Sequence, residues 1–309
     1  MPDFSSVIEQ IIILIILLAI SYIAAKTKLI SESDKDGVSN IMIKITQPAL
    51  IITTLSNNNF TAQILADGSL IMLFAAMSLA ISFTIGWLLS SRLNMSDERA
   101  DVFRFELMFG NVVYLGYPVL SALLGDKGIF YGSIFTVIND TTLWTLGLWM
   151  LTRRQDERVS GWKNLVNMNT IAFFVGLLML VTGTKLPHIL FAALSPLGKT
   201  TIYLSMIFIG AALAELNVKE TVSNVSTFML SALKLVVMPL ILYAILTLLH
   251  VNDVVKLVVS LEVGMPASAL GPALARRYGA DYTYGAQCVL MSTLLSLITI
   301  PALIWLLGT

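Results

Sequence analysis

Hydrophobic residues in this chain gather into long unbroken runs, and polar residues fill the short gaps between them. A helix needs about 20 mostly apolar residues to cross the hydrocarbon layer of a bilayer. On that criterion the runs 7–25, 38–55, 69–89, 105–124 and 129–151 read as five spans, and 170–182, 200–216, 227–249, 254–275 and 284–307 as five more. Residues 152–169 form a polar linker, which divides the chain into 1–151, the linker, and 170–309. Two of the runs are interrupted: Gly116-Tyr117-Pro118 lies within the fourth and Gly264-Met265-Pro266 within the ninth. Proline inside a helix removes a backbone donor and clashes with the carbonyl four residues back. For one isolated proline a kink without function is the plain reading. A pair of interrupted spans at corresponding places in two halves points to the binding site of a secondary transporter.

Basic residues test this segmentation, because Lys and Arg accumulate in cytoplasmic loops. Gaps after the odd-numbered spans carry Lys26, Lys28, Lys35, Arg92, Arg99, Arg104, Arg153, Arg154, Arg158, Lys163, Lys219, Arg276 and Arg277. Gaps after the even-numbered spans carry only Lys127, Lys185, Lys199 and Lys256. The alternation supports the span count and places both termini outside the cytoplasm. Three short matches recur in the same order in each half at nearly constant offset: Thr27-Lys28-Leu29 with Thr184-Lys185-Leu186, the two Gly-x-Pro triplets, and Tyr131-Gly132 with Tyr284-Gly285. A unit of five spans ends on the opposite side from its start, so the second copy is inverted. The expected fold is an all-α polytopic membrane protein of two inverted five-helix repeats, with broken, crossing fourth and ninth helices.

Composition agrees: 57% of residues are hydrophobic, 12% charged, and mean hydropathy is +0.84. Basic and acidic residues balance at 19 each, which gives no electrostatic reason for a nucleic-acid partner. Cys288 is the single cysteine, so intramolecular disulfides and thiolate metal clusters are excluded. Residues 1–10 lack the basic region and cleavage site of a signal peptide, and the first run reads as a retained span.

If the two interruptions cross near the midplane, the half-helices that follow Pro118 and Pro266 aim their N-terminal N–H groups into one small space. That arrangement suits an anion, and no arginine lies deep in an expected span, so the expected ligand is a small organic anion. Asn111, two turns before Pro118, either orients that ligand or makes an interhelical hydrogen bond; Ser268 either caps the second half-helix or touches the ligand. Asn139-Asp140 lies deep in the fifth span, and ionisable groups there face a cavity, a proton path or a partner. Asp140 and Glu262, the latter one turn before Pro266, are the candidate ion-coupling residues, unless either pairs with Lys44 or Lys234, the lysines inside spans. Glu106 and Glu215 lie nearer span ends and read as solvated, and Lys44 reads as reaching the surface. No cofactor is expected beyond a coupling proton or sodium ion.

Enzyme signatures are absent. His188 and His250 fall in expected external loops without an i, i+4 partner, and there is no nucleotide-binding loop or Gly-x-Ser-x-Gly. Ser231 with Lys234 is a conceivable hydrolytic pair at helical spacing, but it is unspecific in a serine-rich chain. A non-transporting membrane receptor for the same anion is the competing reading.

Asn111-x-x-x-x-Gly116-Tyr117-Pro118, Asn139, Gly264-Met265-Pro266-Ala267 and the tail Ser292-Thr293-Leu294-Leu295-Ser296-Leu297-Ile298-Thr299-Ile300-Pro301 together resemble the auxin efflux carrier family, whose bacterial branch includes malonate-transporter-like permeases. Pro48-Ala49-Leu50 and Ile209-Gly210-Ala211 are similar to its pattern as well. The resemblance implies a relative of bile-acid symporters and sodium/proton antiporters. Spans one, two, six and seven would form a scaffold that pairs as a homodimer, and the remaining spans a transport domain moving by an elevator mechanism in a bacterial inner membrane. It implies a small carboxylate as substrate. Tyr117 and Met265 are variable positions of the motif, so substrate identity does not follow.

Overall fold

A computed structural model describes residues 4–57, 61–93, 95–154, 168–214 and 224–307, and the described residues are helical apart from short connections. In chain order the helices are α1 (Phe4–Lys26), α2 (Glu32–Ile41), α3 (Gln47–Asn57), α4 (Ala62–Arg92), α5 (Asp97–Met108), α6 (Tyr117–Leu124), α7 (Asp126–Thr142), α8 (Leu148–Thr152), α9 (Met168–Thr182), α10 (His188–Ala214), α11 (Val225–Ala232), α12 (Met238–Leu248), α13 (Asp253–Val263), α14 (Gly271–Arg277) and α15 (Tyr282–Leu306). Each apolar run falls on helix. Five continuous helical stretches among the described residues are long and apolar enough to cross a bilayer: Glu32–Asn57, Ala62–Arg92, His188–Ala214, Val225–Leu248 and Tyr282–Leu306. Most of the linker, 155–167, lies outside the described residues, as do Glu215 and Lys219.

Wide π turns join several of these helices: Met42–Thr46 leads into α3, Val112–Gly116 into α6, Leu143–Gly147 into α8 and Leu233–Val237 into α12. Three of them have the same cause. Pro48, Pro118 and Pro239 each occupy the second position of the helix that follows. The carbonyl four residues before each proline belongs to the middle residue of the turn: Lys44, Tyr114 or Leu235. Widening to i→i+5 bonding moves that carbonyl away from the ring and spares the helix a break. Gly116-Tyr117-Pro118 therefore does not interrupt its helix, contrary to expectation. Gly116 has helical dihedrals (φ −61°, ψ −51°), and the real break lies upstream, at Phe109–Asn111.

The chain divides into two compact units. One comprises Met1–Ser69, Val113–Val137 and Val166–Glu215. Its helices approach closely at small residues. A Cβ on Gly210 of α10 would overlap Ser21 Oγ and the Leu18 carbonyl of α1, and Gly198 lies against the Leu50 backbone of α3. Ser21 Oγ donates to the Met206 carbonyl at 3.1 Å, and Thr201 donates to Thr46 at 2.8 Å, so the contacts combine close backbone packing with buried hydroxyls. Ile12, Ile16, Ile20 and Ile23 form one exposed apolar face of α1, and Ile171, Phe174, Leu178 and Val181 one of α9. Such faces belong against lipid rather than water.

The other unit comprises Leu70–Val112, Ile138–Leu165 and Leu216–Thr309. Phe103, Phe105, Leu107 and Phe109 of the fourth span pack there with Leu148, Leu151, Leu230, Tyr284 and Cys288. Ser96 and the acidic first turn Asp97-Glu98 start α5 two turns before the expected span. Arg104, assigned to a loop by sequence, is thereby buried. Asp101 accepts from it at 2.8 Å and also from Arg153 and Arg154; Ser90 takes its Nε–H, and Trp87 stacks on both Arg104 and Arg153. Three guanidinium groups around one carboxylate satisfy the carboxylate and pin the start of α5.

Two of the short sequence matches occupy similar local settings. Lys28 (φ 61°) and Gly183 (φ 70°) each end the first helix of a half in the left-handed region. Tyr131, opening the fifth span, donates to Asp67 of the third at 2.7 Å. Tyr284, opening the tenth, donates to Ser226 of the eighth at 2.9 Å.

Candidate functional site

Two helices of the second unit stop partway along apolar runs. α5 ends at Met108 and α13 at Val263, and the segments that follow run extended and antiparallel, with Gly110 bridged to Ala267. Gly110 packs closely there, its Cα facing the Met265 side chain and the carbonyls of Met265 and Glu262. Backbone groups released by the two breaks find partners within protein, as burial demands. The Asn111 N–H donates to the Pro266 carbonyl at 2.7 Å. The Ala267 N–H donates to Ser292 Oγ at 3.0 Å, while Ser292 donates on to the Cys288 carbonyl. The Leu107 carbonyl, deprived of its i+4 donor, accepts from Lys234 Nζ at 2.9 Å. Lys234 is thus a side-chain cap on the negative end of α5.

Within this frame Asn111 lies beside Gly264, Met265, Pro266 and Ser268, and Asn111 is the most telling of these residues. Asn111 is 5% exposed, and its side-chain amide makes no hydrogen bond among the described residues. Its interhelical bond is made by its backbone instead. Met265 is fully buried against Gly110. Ser268 Oγ accepts from the Leu270 N–H at 3.4 Å and its carbonyl from the Gly271 N–H at 2.9 Å, so it caps the turn that leads into α14. Gly116, Tyr117 and Pro118 belong to the first unit, where Tyr117 packs with Leu50 and Ile129.

Asn139 is buried and donates to Asp140 Oδ1 at 3.3 Å; Asp140 itself is half-buried near the end of α7. Glu262 is 1% exposed, and both its carboxyl oxygens lack a hydrogen-bond partner among the described residues. Neither acid is ion-paired to Lys44 or Lys234. Lys44 is exposed, and Lys234 is turned to Leu107. Ser231 donates to the Thr227 carbonyl at 2.8 Å, so the hydrolytic pairing with Lys234 is not formed.

Sequence reasoning missed Glu106. It is fully buried, not solvated, because α5 begins at Asp97 and carries position 106 into the last turn before the break. The capping signal at Ser96-Asp97-Glu98 would have revealed this. Ser292 was noticed only as part of the tail motif; its hydroxyl serves the second break directly.

Comparison with known proteins places the chain among membrane transport proteins. A family model described as "Membrane transport protein" matches residues 6–161 and 157–304. An uncharacterised transporter of Methanothermobacter thermautotrophicus is 26% identical over 300 residues, covering 95% of this chain and 96% of that protein. An uncharacterised transporter of Methanocaldococcus jannaschii is 24% identical over 305 residues, covering 97% of this chain and 98% of that protein. With apolar helices throughout and a family match along its whole length, this chain is an integral membrane protein that belongs to the membrane transport protein family of auxin efflux carriers.

Proposed function

We propose that the protein is a secondary transporter of a small organic anion, a carboxylate such as an auxin-like weak acid or a dicarboxylate, which binds beside the crossing of the two broken helices. One observation carries this reading: Asn111, at the crossing, is only 5% exposed, yet its side-chain amide makes no hydrogen bond among the described residues and keeps its donor and its acceptor for another group. An amide so placed is held ready for a ligand. Half-helix ends and the Ser268 hydroxyl supply further donors for an anion without a neighbouring free arginine, since Arg104 is committed to Asp101.

The reading extends to two inverted five-helix repeats with both termini outside the cytoplasm, which the paired tyrosine bonds and the paired left-handed helix ends support. Alternating access is of the elevator type, with a proton or sodium ion as the coupling ion and Asp140 or Glu262 as its acceptor. Of the two, Glu262 is the carboxyl that the fold leaves buried and unbonded among the described residues.

The test is flux. Reconstituted into proteoliposomes, the protein is expected to take up one or more labelled carboxylic acids saturably, under separately imposed proton and sodium gradients. Ligand-induced thermal stabilisation without flux across the panel would instead identify a receptor.

A further inference from the structure

Glu106, like Glu262, is a buried carboxyl without a hydrogen-bond partner among the described residues, but it alone of the two has a cation nearby. It is 0% exposed, and among those residues neither carboxyl oxygen has a hydrogen-bond partner and no ion pair reaches it. The carboxyl nonetheless lies in a fitted space. A Cβ on Gly271 would overlap its Oε1, and one on Gly285 would stand 3.5 Å from the same atom. The Ser268 backbone N–H faces it without reaching hydrogen-bond geometry. Lys234, 2% exposed, is within electrostatic range, yet its ammonium is spent on the Leu107 carbonyl.

We infer that Glu106 is a proton-exchange site, and that Lys234 moves between the Leu107 carbonyl and the Glu106 carboxylate as the proton leaves and returns. An uncompensated carboxylate is not stable in such a place, so the arrangement with Lys234 on Leu107 is the one in which Glu106 holds its proton. When the proton passes to water, the carboxylate needs a partner, and Lys234 is the cation within reach. One proton is exchanged per cycle; the lysine keeps its charge and changes only its acceptor. A metal cation is disfavoured in the same place, because the ammonium repels it and the carboxyl is a single ligand where such ions require several oxygens. The other titratable group facing this carboxyl is Cys288 of α15, with Tyr284, Arg99 and Asp281 around Cys288; α8 and α11 present none.

Position links this exchange to the substrate site. Leu107 is the carbonyl that Asn111 would have bonded had the helix continued. Moving Lys234 away uncaps α5 at the last turn before the break that carries Asn111. This deepens the transporter reading by adding Glu106 to Asp140 and Glu262 as a proton acceptor, and rests on that reading for coupling, although the protonation itself can be tested without transport.

In infrared difference spectra of the purified full chain between acid and alkaline pH, a protonated-carboxyl band is expected that disappears in Glu106→Gln and persists in Glu262→Gln. In Lys234→Gln its titration is expected at more alkaline pH. Should Glu106→Gln fail to fold, Glu106→Asp is expected to shift the band. Survival of every titrating carboxyl band in the Glu106 variants overturns the inference. In proteoliposomes, Glu106→Gln is expected to lose at least tenfold in pH-driven accumulation of a labelled carboxylate while retaining counterflow. Accumulation in the wild type that ignores the pH gradient, or that survives in Glu106→Gln, also overturns it. A wild type that moves no acid refutes the transporter reading alone and leaves Glu106 to the infrared result.

Discussion

The Asn111 N–H reaches the Pro266 carbonyl at 2.7 Å, so the interruption of one helix is closed by the interruption of the other. Structure at this point depends on the backbone of Asn111, not on its side chain. Asn111→Ala is therefore expected to leave thermal stability nearly unchanged. If the amide bonds a carboxylate, its loss removes about 1.5–3 kcal/mol of binding, roughly ten- to a hundredfold in affinity. Ligand-induced stabilisation with a panel of carboxylic acids checks this. An unaltered affinity in the variant would remove Asn111 from the site.

Gly271 leaves the space that the Glu106 carboxyl fills. Gly271→Ala is expected to destabilise the protein by about 1–3 kcal/mol through overpacking. Glu106→Ala clears that space, so the double variant should be markedly less destabilised than the sum of the single ones. Additive effects in detergent unfolding would show that the two side chains do not share the site.

The tyrosines of the two Tyr-Gly pairs, Tyr131 and Tyr284, should respond unequally to loss of their hydroxyls. Tyr131→Phe removes one donor from the buried Asp67 carboxylate, which keeps Gln63 at 2.6 Å; about 1.5–3 kcal/mol is expected, as for bonds to charged groups. Tyr284→Phe breaks a bond between neutral hydroxyls, and Ser226 retains its bond to Asn224 at 2.8 Å, so about 0.5–1.5 kcal/mol is expected. Comparison of the two denaturation midpoints is sufficient.

Gly210 of α10 lies hard against α1, where a Cβ would overlap Ser21 Oγ and the Leu18 carbonyl. Gly210→Leu would force those helices apart and break the Ser21 bond to Met206, with a cost of about 2 kcal/mol or more. Gly37 is the control, because a Cβ added there would meet nothing within 4 Å: Gly37→Ala should be neutral or slightly stabilising.

Much of the helix layout was legible because hydrophobic run length is set by the bilayer and needs no knowledge of partners. The ninth-span break was legible for the same local reason, since Gly264 and Pro266 act on their own backbone. The fourth-span break was not. Pro118 looked decisive, but a π turn absorbs it, whereas the chain leaves the helix at Gly110, whose backbone is bridged to Ala267, a partner distant in sequence. Glu106 was hidden similarly. Its helix begins in a polar segment with ordinary capping residues, and a search for apolar runs starts eight residues too late. Lys234 was recognised as a buried lysine, yet its partner is a backbone carbonyl, which sequence does not mark.

Each π turn holds one residue more than an α turn would, and a single residue rotates everything beyond it by about 100° around the helix axis. The helix face shown by α12 after Leu233–Val237, or by α6 after Val112–Gly116, is therefore set by an inserted residue as much as by side-chain preference. A one-residue deletion in such a turn would be more damaging than most substitutions. It would return the proline to conflict with its carbonyl and swing the downstream apolar face away from its neighbours while leaving composition almost untouched.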